Sequence, residues 1–304
     1  MGYIGFHITA PIMQLTAGEL VSIIFADNTW PFFKEFFQGK KEIMRSKFME
    51  ILEVRNALAH FRPIKKDDIQ AIKQNINHLF GPVEEFLKAM TSIEASVPTN
   101  CVKYWYTRSK EIESSRCKIS SYFSKNEDCV KIILTYTSPI LSRRKAPNQL
   151  WYWPMTINTS SVLNDYRELS EFCIYITESS SSQISDDEIP KAFKCINFIF
   201  STDSIEKAER FFSTLQDAVS IIDDETEQIL KENTAQGKYV RSVNCSAELK
   251  NKYWHTNDSA MRSEVKKDDV VEYWGDIWLW GNVITEISKY PWMPVPIAED
   301  EFFF

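Results

Sequence analysis

The chain reads as two domains of different class. Residues 1–96 read as an all-α helical bundle, and residues 101–304 as an α+β domain with a mainly antiparallel sheet. Three observations predict this. Apolar residues recur at helical spacing through the first part. Short runs rich in aromatic and β-branched residues mark the second. Between them, Ser96-Val97-Pro98-Thr99-Asn100 has the composition of a linker. At 304 residues the chain also exceeds the usual size of one domain.

The elements follow in order. Residues 16–26 carry Leu20, Val21, Ile24 and Phe25 on one helical face. Residues 30–37 form a short aromatic segment opened by Pro31, which suits a first helical turn. Residues 40–59 make a long helix with Met44, Phe48, Ile51, Leu52, Leu58 and Ala59 as its stripe. Arg62-Pro63 stops it, because proline biases the preceding residue away from helix. A fourth helix starts near Asp67, which with Gln70 matches a capping box, and Gly81-Pro82 should kink or split it. Beyond the linker, residues 103–107, 117–123, 130–136, 151–157, 172–177 and 195–200 read as strands. Residues 179–187 read as a polar loop. A helix capped by Asp203 then carries Ile205, Ala208, Phe211, Phe212, Leu215, Ala218, Val219 and Ile222.

Formal net charge is −7, from 35 basic and 42 acidic residues. That total argues against a protein that coats nucleic acid by charge alone. The distribution is more informative. Residues 1–100 hold 11 basic and 11 acidic residues, so residues 101–304 carry the whole excess. No apolar run reaches the ~20 residues of a membrane span. The first residues lack the basic and small-residue signature of a signal peptide. Gly2 is not followed by the Ser or Thr of a myristoylation motif, since Phe6 stands there. The six cysteines (Cys101, Cys117, Cys129, Cys173, Cys195, Cys245) form no CxxC pair. They read as reduced thiols of a cytoplasmic protein. No P-loop or GxGxxG supports nucleotide or modified-RNA binding by the second domain, and without CxxC spacing zinc has no support, so no cofactor and no metal are expected.

The run Glu53-Val-Arg55-Asn56-Ala-Leu-Ala-His60-Phe-Arg62-Pro63 is the most informative in the chain. On a helical wheel Arg55 falls in the middle of the apolar stripe. A guanidinium cannot shed its charge, so it must be paired, face a cleft or face a partner protomer. Asn56 and His60 are spaced i,i+4, so the Asn56 amide can orient the imidazole. His60 lies at a helix C-terminus, where the dipole suits a cation. A positioned His and an Arg suffice for RNA cleavage. The His moves a proton, the Arg stabilises phosphorane charge, and RNA supplies its own 2′-OH nucleophile. Arg62, Lys65, Lys66 and Lys73 stand nearby as candidate RNA-binding residues. With Arg55 they place five of the first domain's 11 basic residues between Arg55 and Lys73, against only Asp67 and Asp68. On a straight helix Arg55 and His60 diverge by roughly 140°. The helix must therefore unwind by His60, or a second copy must complete the site.

This run resembles the HEPN superfamily, whose mark is an Arg, a polar residue directly after it, and a His four to six residues later. Here these are Arg55, Asn56 and His60. The resemblance extends through Gln14-Leu-Thr, Leu20, Asn28, Trp30, Phe33 and the following long helix, over roughly residues 10–90. It implies a helical bundle that dimerises around a composite cleft and a metal-independent endoribonuclease of the toxin or antiviral-defence kind. It also implies that Arg55 and His60 are catalytic and that Asn56 orients the His. The alternative is a non-catalytic dimerisation protein in which Arg55 forms an interface ion pair.

Other features carry blander readings. His7 and His255 are isolated, and His78 lies on the polar face of its helix. The acidic run Asp223, Asp224, Glu225 and Glu227 reads as the solvated continuation of an amphipathic helix. Trp274, Trp278, Trp280 and Trp292 read as core or interface packing. The tail from Glu299 to Phe304 ends in three phenylalanines and reads as packed into the fold, or as a peptide docking on a protein partner. The second domain is expected to sense a trigger, hold a partner or restrain the first.

Overall fold

A computed structural model describes residues 15–261, apart from 38, 92 and 171. The Trp274–Trp292 cluster and the tail from Glu299 to Phe304 lie outside the described residues. The chain divides into two compact units, one over Ala10–Thr91 and the other from Ser92 onward.

The expected N-terminal all-α bundle is not what forms. The first unit opens with short pieces: α1 (Ala17–Ile24), a four-residue α2 (Trp30–Phe33) and a single 3-10 turn (Lys34–Phe36). Longer helices follow, α3 (Lys41–Ala59) and α4 (Lys66–Thr91), and sheet structure begins at Ala95. A bundle needs each long helix to bury a stripe. Along α3, only Met44 and Phe48 are buried. Among the described residues the buried cluster is Val21, Phe25, Phe37, Met44, Phe48 and Leu79. Its aromatics stack locally, with Phe25 and Trp30 ring centroids 5.2 Å apart and Phe37 edge-on to Phe48 at 5.6 Å. The start of α1 is set by a capping box. The Thr16 hydroxyl accepts the Glu19 N–H, and the Glu19 carboxylate accepts the Thr16 N–H. That contact holds the Glu19 carboxyl below its ordinary range. Pro82 does not split α4, which is assigned helical on both sides of it.

The second unit holds two antiparallel sheets. The first has the order β1-β2-β3-β7-β6, from β1 (Ala95–Ser96), β2 (Cys117–Phe123), β3 (Cys129–Ser138), β6 (Tyr175–Ile184) and β7 (Pro190–Ser201). The second has the order β10-β9-β5-β4, from β4 (Ile140–Ala146), β5 (Gln149–Ile157), β9 (Cys245–Lys250) and β10 (Tyr253–Asn257). A short β8 (Val240–Ser242) also pairs with β5. The helices of this unit are α5 (Tyr104–Lys110), α6 (Thr159–Asp165), α7 (Thr202–Ile205) and α8 (Glu209–Leu230).

The main core lies between α8 and the first sheet. Strand β3 alternates, burying Val130, Ile132, Leu134 and Tyr136. Helix α8 buries Phe211, Phe212, Leu215, Ala218, Val219 and Ile222. Helix α8 meets β7 of the same sheet through Phe211, whose ring lies 4.9 Å from Phe200 and 5.2 Å from Phe198. A smaller core of Leu150, Tyr152, Ala192, Cys245, Ala247 and Met261 belongs to the second sheet.

Several local readings change. Residues 103–107, expected as a strand, form α5, because Trp105 and Tyr106 are buried in the main core. Residues 179–187, expected as a loop, lie mostly in β6, whose full register with β7 supplies the order. Ser96, at the head of the expected linker, pairs with Tyr122. Ser201, not Asp203, caps α7 by accepting the Ser204 N–H at 3.1 Å. Among the described residues no helix is long and apolar enough to cross a membrane.

Candidate functional site

Helix α3 stays regular through Ala59, so Arg55 and Asn56 sit on its last turns and His60 is its C-cap, at φ −103° and ψ 16°. The chain then closes in a Schellman motif. The Phe61 N–H donates to the Leu58 carbonyl at 3.0 Å, and the Arg62 N–H to the Ala57 carbonyl at 2.8 Å. This closure needs a left-handed residue just past the cap, and Phe61 takes it at φ 54°.

Arg55 is exposed, as are Asn56 and His60. The apolar face expected to bury Arg55 is itself uncovered here, with Leu58 63% exposed. The Arg55 guanidinium instead donates to the Asn56 side-chain oxygen at 3.1 Å. Asn56 thus engages Arg55 through its side chain, and its backbone carbonyl accepts the His60 N–H at 3.1 Å. Among the described residues the His60 imidazole makes no hydrogen bond or ion pair. Because α3 does not unwind before its cap, Arg55 and His60 of one chain point apart.

Arg62, Lys65, Lys66 and Lys73 are also exposed. None of them, nor Arg55, enters an ion pair among the described residues. Lys65 and Lys66 open α4, where the Asp68 carboxylate accepts the Lys65 N–H at 3.1 Å. The turn from α3 to α4 therefore gathers one imidazole and several uncommitted cations. Such a surface can hold a phosphodiester, neutralise charge on it and move a proton.

Two features of the second unit were not read from sequence. Lys194 and Glu178 form a fully buried ion pair at 2.6 Å. Its signal was present, because Lys194 stands among Ala192, Ile196, Phe198 and Phe200 at period two, on the core face of β7. The acidic run on α8 is not mainly solvated. Asp223 accepts the Ser115 N–H at 2.7 Å, and Glu225 accepts the N–H groups of Lys238, Tyr239 and Val240. Glu227 pairs with Arg116 at 2.9 Å, which holds its carboxyl below the ordinary range. These carboxylates anchor loops. Phe61 was also missed, since its meaning depends on a backbone angle and an exposure.

Compared with known protein families, curated proteins and solved structures, the chain matches none.

Proposed function

We propose that the chain is a metal-independent endoribonuclease. In its particular form, it is a cytoplasmic toxin or antiviral-defence effector that works as a homodimer and is regulated by its second unit. The observation that carries this is the exposed Arg55, Asn56 and His60 at the end of α3, beside cations that enter no ion pair among the described residues. It agrees with the HEPN-like motif.

In this mechanism His60 takes the proton of a ribose 2′-OH. The 2′-oxygen attacks phosphorus, and Arg55 stabilises the charge of the phosphorane. The P–O5′ bond breaks, the 5′-oxygen takes a proton from water, His60 returns its proton to solvent, and the product ends in a 2′,3′-cyclic phosphate. Asn56 orients the Arg55 guanidinium. Arg62, Lys65, Lys66 and Lys73 hold the flanking backbone. Arg55 and His60 diverge within one chain, so the cleft takes Arg55 from one copy and His60 from the other.

The test is incubation of the purified chain with RNA in EDTA. Cyclic-phosphate ends should form, and His60→Ala or Arg55→Ala should each slow cleavage by roughly 10²–10⁴-fold. Activity that survives either change would sink the assignment. A growth defect on expression, relieved by His60→Ala, gives a second readout.

A second reading is a non-catalytic dimerisation or interaction protein. Exposed Ile43, Met49, Leu58, Ile69 and Ile76 on the first unit favour it, because such side chains gain by being covered. In that case Arg55→Ala weakens self-association and no trigger elicits cleavage.

A further inference from the structure

Phe61 occupies a place that neither its backbone nor its side chain favours. At φ 54° it fills the Schellman position that glycine usually takes, and its side chain is 97% exposed. Folding gains nothing from the ring and works against the backbone angle. Outliers of this kind gather at functional sites. Phe61 directly follows His60, so their Cα atoms are about 3.8 Å apart. It also directly precedes Arg62, and Lys65 and Lys66 follow within one turn of chain.

We infer that Phe61 is a substrate-positioning residue that stacks on an RNA base beside the phosphodiester presented to His60. The inference rests on the endoribonuclease reading. An aromatic ring among unpaired cations fits a single-stranded nucleotide, which offers a π face and a phosphate together. Arg62, Lys65 and Lys66 beside the ring attract a polyanion. The ring therefore meets RNA in the cleft that Arg55 of a second copy completes. Stacking is indifferent to base identity, so Phe61 sets the pose of the strand while leaving sequence preference broad.

The experiment uses the full chain and a short single-stranded 2′-O-methyl RNA, which cannot be cleaved because its nucleophile is blocked. Phe61→Gly restores the residue the backbone prefers, so it should keep or raise the melting temperature. The same variant should bind the probe about tenfold more weakly, with an unchanged salt slope. Phe61→Trp should retain affinity. An abasic probe should bind the native chain as weakly as Phe61→Gly binds the natural one. Equal affinity of native chain and Phe61→Gly overturns the inference. A native chain that still cleaves RNA in that case leaves the endoribonuclease reading standing. If Phe61→Gly dissociates a dimer while affinity per copy is unchanged, a second copy covers the ring and the inference fails. If the native chain neither binds the probe nor cuts RNA, both fail together.

Discussion

Replacing Lys194 with Met tests the centre of the second unit. The native ammonium is 0% exposed and stands 2.6 Å from a Glu178 oxygen that is itself 1% exposed. It also donates to the Met261 carbonyl at 2.8 Å. Thr159 donates to the same Glu178 oxygen at 2.6 Å, and Thr156 to the Met261 carbonyl at 3.1 Å. Methionine keeps most of the side-chain volume, so cavity formation is a minor contribution. The loss is electrostatic. Glu178 loses the ammonium that faces it, and the Met261 carbonyl loses a donor. Breaking one half of a buried pair costs about 3–5 kcal/mol. In urea unfolding followed by tryptophan fluorescence, that lowers the midpoint by about 1–2 M. The double variant Lys194→Met/Glu178→Leu removes both charges and should recover most of the loss, since well-packed apolar pairs often match buried ion pairs. The reasoning is refuted if Lys194→Met unfolds within about 1 kcal/mol of the native chain. It is also refuted if the double variant is no better than the single.

Two further outcomes follow from the second unit. A Cβ added at Gly237 would stand 2.6 Å from Glu225 Cδ, and that carboxylate is held by three backbone N–H groups of the next residues. Gly237→Ala should therefore cost about 1–3 kcal/mol and speed amide exchange at Lys238, Tyr239 and Val240; unchanged exchange there would show the anchor to be slack. Burial pushes the thiols of Cys117, Cys129 and Cys245 up to about 12, and Cys173 well above its ordinary value. At pH 8 a thiol of pKa 12 is roughly one part in 10⁴ thiolate. Iodoacetamide should spare these four in the native chain and modify all six cysteines after unfolding, as read by mass spectrometry. Rapid native labelling of Cys129 would contradict its burial.

Local signals served where neighbours added little. The span of α3 and its end before Arg62-Pro63 were legible because proline acts on the residue beside it. Strands β2, β3 and β5 were legible because aromatic and β-branched residues suit a pleated, half-buried surface. Residues 103–107 misled because Tyr-Trp-Tyr favours a strand by composition, whereas burial against the main core decides the matter. β6 misled because Ser179 to Ser182 lack strand propensity, and a complete ladder to β7 replaces it. Arg55 shows a different limit. A helical wheel identifies residues that share a face, but it cannot say whether anything covers that face. Toward the end of α3 nothing among the described residues of its unit does so, and Arg55, Leu58 and the bundle expectation failed for the same reason.

The charge count illustrates the same limit. A total of −7 pointed away from nucleic acid. The structure separates charges that are committed from charges that are available. In the second unit, Glu178 is buried against Lys194, and Asp223, Glu225 and Glu227 hold loops and Arg116. Asp165 pairs with Lys238 and accepts the Tyr239 hydroxyl, which holds its carboxyl below the ordinary range. A carboxylate fixed against a cation or a set of N–H groups projects little field. Among the described residues of the first unit, Arg55, Arg62, Lys65, Lys66 and Lys73 enter no ion pair, and they outnumber Asp67 and Asp68 within the same stretch. A phosphate within a Debye length of about 8 Å responds to these free charges, and more distant ones are screened. The sign that matters to a strand of RNA at the end of α3 is therefore positive, in a chain whose sum is negative.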